Sequence, residues 1–233
     1  GDHRDLHTAY RRQRQMCNKR QQLYARLLPV IAGGKNVPLP FDFVQQSFQA
    51  ACSPSGYERW EWERNVGVAC ALFKGYHARH YDESQRRNYP MALDKENRSR
   101  DYLFGRLLAV AEELENMALR MAKEERATNA ERYMQRFATH PLSTWKQLEL
   151  SLEPYKNRLR KNYPVKITAK FTLENPIGFL KNRETEITEL VNALDELQQN
   201  TDCILDKPLD GEFLLGYHSQ KMAYRNKSNA QSM

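Results

Sequence analysis

At 233 residues, 40% of them hydrophobic, the chain can bury one sizeable core or two small ones, and its 36 Lys+Arg against 29 Asp+Glu leave a formal net charge of +7. No apolar run approaches the roughly 20 residues of a membrane span, and no charged n-region leads into an apolar h-region, so a soluble cytoplasmic protein is expected. Cys17, Cys52, Cys70 and Cys203 stand far apart without a CxxC pair, which argues against a zinc knuckle and suits reduced thiols, with Cys70 reading as a core residue.

The first predicted helix runs from about Thr8 to Ile31, with Leu6, Tyr10, Cys17, Tyr24, Leu27, Leu28 and Ile31 on or near one face. Pro29 kinks its last turn and Gly33-Gly34 stop it. Pro38 and Pro40 make a stiff connector to a short helix carrying Phe41, Val44, Phe48 and Ala51, which ends before Ser53-Pro54-Ser55-Gly56. A third helix spans about Tyr57 to Arg79, where Trp60 and Trp62 break helical periodicity, so one is expected inside and one outside. Polar residues 82–100, with Pro90, read as the linker between a basic helical unit over 1–90 and a helical bundle over 91–233.

Ser99 is the expected N-cap of a long helix from Tyr102 to Glu125, with Asp101 at its positive end. Its apolar positions Leu103, Leu107, Val110, Leu114, Met117 and Met121 make a narrow seam suited to a bundle. Asn129 to Thr139 forms a short helix ended by His140-Pro141; Leu142 to Tyr163 follows with Trp145, Leu148, Leu152, Tyr155 and Leu159 inward and Pro154 interrupting it. Pro164 to Asn175 alternates Val165, Ile167, Ala169, Phe171 and Leu173, a period-two pattern that fits an isolated edge strand or merely extended chain, and an extended linker is expected. Pro176 starts an amphipathic helix with Ile177, Leu180, Ile187, Leu190, Val191, Leu194 and Leu197 inward and an acidic outer face, and Pro208 to Asn226 closes the bundle. The expected fold class is all-α, the second half an antiparallel helical bundle.

Gly105 and Gly216 each sit inside an apolar helical face, where the lack of a side chain lets a second helix approach closely. They lie in the two most distinctive stretches of the chain, Gly105-Arg106-Leu107-Leu108-Ala109-Val110 and Gly216-Tyr217-His218-Ser219-Gln220. These stretches resemble the "GRLFAV" and "GYYHQ" motifs in the C-terminal region of the large subunit of the type I-C CRISPR surveillance complex (Cascade, Csd-type family). Leu93-Asp94 before the first motif, Arg132-Tyr133 and His140-Pro141 after it, and the Pro38-Leu39-Pro40 turn keep the family's order. Leu108 replaces a Phe, one Tyr of the second motif is missing, and Ser219 is inserted.

The resemblance implies a non-enzymatic helical subunit that binds the backbone and small subunits of a complex containing the guide RNA. Such a subunit holds the displaced, single-stranded non-target DNA while a separate helicase-nuclease cuts. It implies a fragment lacking the larger N-terminal part that recognises the protospacer-adjacent motif. It also implies overlap with an internally translated small subunit, for which Met91, three codons after Arg86-Arg87, is the expected start.

Independently of the resemblance, the cations mark candidate phosphate contacts. Arg12, Lys19 and Arg26 recur every seven residues down one side of the first helix, a stripe that can track a strand. Lys146, Lys156, Arg158, Arg160 and Lys161 form a second group near Tyr155 and Tyr163, whose rings stack on bases if exposed and belong to the core if not. Arg106, Arg120, Arg132 and Arg136 are further candidates, Arg106 alternatively pairing with an acidic helix. Residues 146–183 hold nine basic and three acidic residues and residues 184–212 nine acidic and one basic, so the chain can hold a polyanion on one side and a basic protein on the other, the plain alternative being a mixed solvated surface.

His3 with His7, and His77 with His80, share helix-face spacing, but no supporting carboxylate motif accompanies them and neither a metal nor a cofactor is expected. Ala32-Gly33-Gly34-Lys35-Asn36 lacks the first glycine and the Ser or Thr of a phosphate-binding loop and reads as a helix C-cap. The competing reading is an autonomous regulator of duplex DNA with residues 129–139 as the recognition helix of a helix-turn-helix. A metal-dependent nuclease built on His77 and His80 is a third.

Overall fold

The computed structural model describes residues 39–54, 58–81, 92–168, 171–200 and 205–230, without the side chains of 200 and 227–230. The first predicted helix with Arg12, Lys19 and Arg26, the glycine-rich stretch at 32–36, and Met91 lie outside the described residues. Within them the protein is all-α, with eight helices and one two-stranded ribbon.

Helix α1 (Phe41–Ala51) follows Pro40, whose ring fixes an extended entry. Its inward face is carried by Phe43, Val44 and Ala51 rather than by Phe41. Phe41 is 59% exposed and leans on the Tyr76 ring at 5.4 Å. Helix α2 (Arg59–His80) resolves the tryptophan pair as expected, Trp62 being 2% exposed and Trp60 61%. Trp62 donates its indole N–H to the Ala51 carbonyl at 2.7 Å and so ties the end of α1 to α2.

The centre of the protein is α3 (Arg100–Ala122), with 17 of its 23 residues buried, so the expected narrow seam is instead a helix enclosed on nearly all sides. Helices α4 (Asn129–Thr139), α6 (Glu153–Leu159), α7 (Pro176–Asn200) and α8 (Gly211–Ala230) all pack on it. Ser99 occupies the N-cap position in extended conformation, but its hydroxyl bonds to the Glu212 carboxylate and not to the helix backbone. Lys123 ends α3 in the left-handed region at φ 56°.

The side chain of Thr128 caps α4 by accepting from Glu131 N–H at 3.0 Å, and Glu115 of α3 accepts a second free donor, Ala130 N–H, at 2.9 Å. The predicted span 142–163 is two helices, α5 (Pro141–Ser151) and α6, because Pro154 lacks an amide hydrogen and is tolerated only in a first helical turn. In place of the expected linker, the described residues between 164 and 175 pair as a ribbon. Strands β1 (Val165–Lys166) and β2 (Thr172–Leu173) pair antiparallel, Val165 opposite Leu173. The turn closes through Phe171 N–H donating to the Thr168 hydroxyl at 3.1 Å, which folds Leu173 back onto the core. Asn175 then caps α7 by accepting from Gly178 N–H at 2.8 Å.

Helix α8 runs in the same direction as α3, since Asp101 meets Asp210 and Glu112 meets Lys221. Helix α7 runs opposite to α3, with Arg106 near Glu186 and Glu113 near Arg183. The α3–α8 contact is as close as the sequence requires: a Cβ on Gly105 would stand 2.0 Å from the Phe213 carbonyl oxygen, and one on Gly216 2.1 Å from that of Tyr102. Each glycine removes the side chain that would block the other helix's backbone. Buried residues of α1 and α2 belong to the same continuous apolar core as α3 and α8.

Candidate nucleic-acid interface

Helices α4 and α5 pack on each other, and α6 follows α5 directly. Along them Arg132, Arg136, Lys146 and Arg160 are exposed, and Lys156, Arg158 and Lys161 half-buried. Along the same stretch Met134, Phe137, Trp145, Leu148, Leu152 and Leu159 are buried, while Leu150 stands 80% exposed. That division is what turns the cations outward.

Several of these cations already have partners. Arg136 donates to the Gln147 side-chain oxygen at 2.7 Å, binding α4 to α5. Arg158 lies 2.8 Å from Glu124, Arg160 3.0 Å from Glu153, and Lys156 3.6 Å from Glu184 of α7. Partly solvated pairs of this kind are each worth only about 0–1 kcal/mol, so a phosphate can displace the carboxylate. Lys146 and Lys161 have no ion-pair partner among the described residues. Arg120, exposed in the last turn of α3, stands near Glu113.

Arg106 belongs to the interior and not to this surface. It donates its Nε–H to the Gln220 side-chain oxygen at 3.0 Å, and burial holds its guanidinium below the usual value. Tyr155 is buried as well, between the guanidinium groups of Arg126 and Arg158 at 5.6 and 6.0 Å, so its ring is closed to a base. Tyr163 is open.

A set of charges that periodicity did not reveal surrounds Glu112, 1% exposed on the side of α3 that meets α2 and α8. Lys221 Nζ lies 2.7 Å from its carboxylate, Arg59 Nη2 3.2 Å, and the Tyr217 hydroxyl donates to it. Lys221 also sits over the Trp62 and Tyr217 rings at 5.4 and 5.0 Å. Burial lowers the Arg59 pKa, but Glu131, Glu112 and Glu63 together outweigh it and raise it. Burial, reinforced by Glu112, drives the Tyr217 hydroxyl well above its ordinary value. In the sequence Glu112 only ends the apolar run 107–111, with Glu113 and Glu115 beside it, so nothing there set it apart.

His77 lies tilted against the Phe73 ring at 4.4 Å and stacks on Tyr81 at 4.7 Å, and His80 places Nδ1 3.0 Å from the Tyr76 carbonyl oxygen. Their rings are engaged by aromatic neighbours of the same segment, Tyr76 stacking on His80 at 4.2 Å, and no group of three or more metal-ligating side chains occurs among the described residues. The connection from α3 to α4, residues 123–128, is longer than the roughly three- to four-residue turn of a helix-turn-helix.

The architecture is that of an all-α, cation-bearing protein built around one enclosed helix, with no described helix long and apolar enough to cross a membrane. Residues 3–225 match the family described as CRISPR-associated protein (Cas_Csd1), and the chain belongs to that family. No curated protein matches it.

Proposed function

We propose that the protein is a non-catalytic subunit of a type I-C CRISPR surveillance complex. In this reading its cations steady the displaced non-target DNA strand while neighbouring backbone and small subunits, the guide RNA and a separate helicase-nuclease do the rest. The observation that carries it is the run of exposed and half-buried cations from Arg132 to Lys161 across α4, α5 and α6, in a chain of a CRISPR-associated family. Phosphate neutralisation is independent of sequence, so affinity should fall steeply with salt and vary little with base composition. Charge reversal of Lys156, Arg160 and Lys161 together is expected to weaken single-strand retention in the assembled complex. R-loop stability unaltered by those three reversals would defeat the reading, and tight binding of one duplex sequence by the isolated chain would favour a regulator instead.

A further inference from the structure

We propose that the ribbon after α6 is a base-stacking platform: Tyr163 and Phe171 take unpaired bases of a single nucleic-acid strand, and Lys161 and Lys166 take its phosphates. The inference rests on the strand-holding reading above and adds to it a second mode of grip.

Tyr163 is 59% exposed and Phe171 40%. The other exposed aromatic residues among the described ones are each engaged by a neighbour: Trp60 by Arg64 at 5.4 Å, Phe41 by Tyr76 at 5.4 Å, and Tyr81 by His77 at 4.7 Å. Tyr163 and Phe171 have no ring or cation contact among the described residues. Two large rings are thus held open to solvent on a short element that the core already anchors through Leu173.

The surrounding charge selects the occupant. The sequence from Lys156 to Phe171 holds six basic residues and no acidic one. Lys161 and Lys166 have no ion-pair partner among the described residues, and Glu174 is the only carboxylate among the described residues from Arg160 to Asn175. Open rings interleaved with unpaired cations fit a flexible polyanion that carries flat faces, which describes an unpaired strand. A duplex keeps those faces stacked away.

The rings are also preorganised. Pro164 restricts the residue before it, Tyr163, to extended backbone. Ile167 N–H donates to the Phe171 carbonyl at 3.0 Å and fixes where the returning strand places the second ring. Four residues of extended chain separate Tyr163 from Ile167, about 13 Å, too far for the rings to cover one another and within reach of two bases of one strand.

The test uses the full chain at low ionic strength and measures fluorescence anisotropy with a single-stranded oligothymidylate and an abasic phosphodiester of equal length. The expected result is a preference for the base-bearing oligomer that falls about tenfold for Tyr163→Ala and again for Phe171→Ala, and is retained in Tyr163→Phe and Phe171→Tyr. Lys161→Glu with Lys166→Glu should weaken both oligomers alike and flatten the salt dependence. Unchanged circular dichroism melting of the ring variants shows that folding is not the cause. Equal wild-type affinity for the two oligomers overturns the platform and leaves the phosphate-holding reading standing. Failure of both oligomers to bind, in the chain and in the assembled complex alike, overturns the two together. Ring variants that lose an acidic protein partner while binding oligothymidylate normally also overturn the platform.

Discussion

Arg106 donates to Gln220 across the α3–α8 contact at 3.0 Å, and this single bond joins the two stretches by which the chain resembles its family. Beside it Tyr102 and Ser219 share a hydrogen bond at 2.9 Å, so the inserted serine of the second stretch is a buried partner of the helix bearing the first. Both stretches describe one interface, seen from its two sides.

The first prediction follows from the backbone approach at that interface. Gly105→Ala or Gly216→Ala places a methyl against a main-chain carbonyl that cannot step aside, and each should lower stability by about 3 kcal/mol or more. Gly67 in α2 is the comparison, since its Cβ would stand 3.7 Å from His218, an ordinary contact. Gly67→Ala should be neutral or stabilising by about 0.5–1 kcal/mol. Urea unfolding of the three variants checks the contrast.

The buried Glu112 carboxylate needs its counterions. Lys221→Met leaves that charge under-compensated inside the protein and should destabilise by about 3 kcal/mol. Arg225→Met removes a half-exposed pair with Glu63 and should change stability by less than about 1 kcal/mol. Equal effects of the two variants in chemical denaturation would contradict this assignment of the network.

Stability should decline as pH rises from about 4.5 to 7. Burial pushes the Glu115 carboxyl up to about 7 against the opposing hydrogen bond from Ala130, and burial together with Asp101 pushes Asp210 up to about 7. In that window the folded state holds protons that the unfolded state has released, so deprotonation disfavours folding, by about 3 kcal/mol for the fully buried Glu115 once pH passes 7. Asp210 is exposed to solvent, which screens its charge, so it should contribute far less. Glu115→Gln should flatten most of the slope in thermal melts taken from pH 4.5 to 8.

Cys52 and Cys70 are buried, and burial raises both thiols, Cys70 to about 12 and Cys52 further. Thiolate is the reactive form. In a background with Cys17→Ser and Cys203→Ser, a thiol reagent should therefore label neither cysteine in the folded protein and both in denaturant.

Expression offers a separate test of the expectation at Met91. If translation restarts there, Met91→Leu should remove a short product that co-purifies with the full chain, and persistence of that product would refute the internal start.

How far the fold was legible depended on what each residue had to satisfy. Trp60 and Trp62 divided as expected because residues two positions apart on a helix differ by about 200° in direction and cannot share a face. Pro176 marked a helix start and Pro154 a break within the 142–163 span, both through their own missing amide hydrogens. Phe41, by contrast, looked inward by spacing and lies outside, because the neighbouring Phe43 fits the core and only packing chooses between adjacent faces. The ribbon was misread because a period-two pattern shows that a segment is extended without showing what it pairs with. The partner of Val165 is Leu173, eight residues further on, beyond a turn closed by the Thr168 side chain.

The candidate surface divided in the same way. Charge, spacing and the two glycines are local properties, so the amino-acid order alone determined that the protein is helical, that two helices approach to backbone contact, and which cations it carries. Which cations face outward is a matter of neighbours distant in the chain. Tertiary structure alone decided that Arg106 is held by Gln220, that Tyr155 closes into the core while Tyr163 stays open, and that Glu112 collects Arg59 and Lys221 from two other helices. A residue's type sets what it can bond to, but burial and the arrival of a partner more than 50 positions away set whether it does.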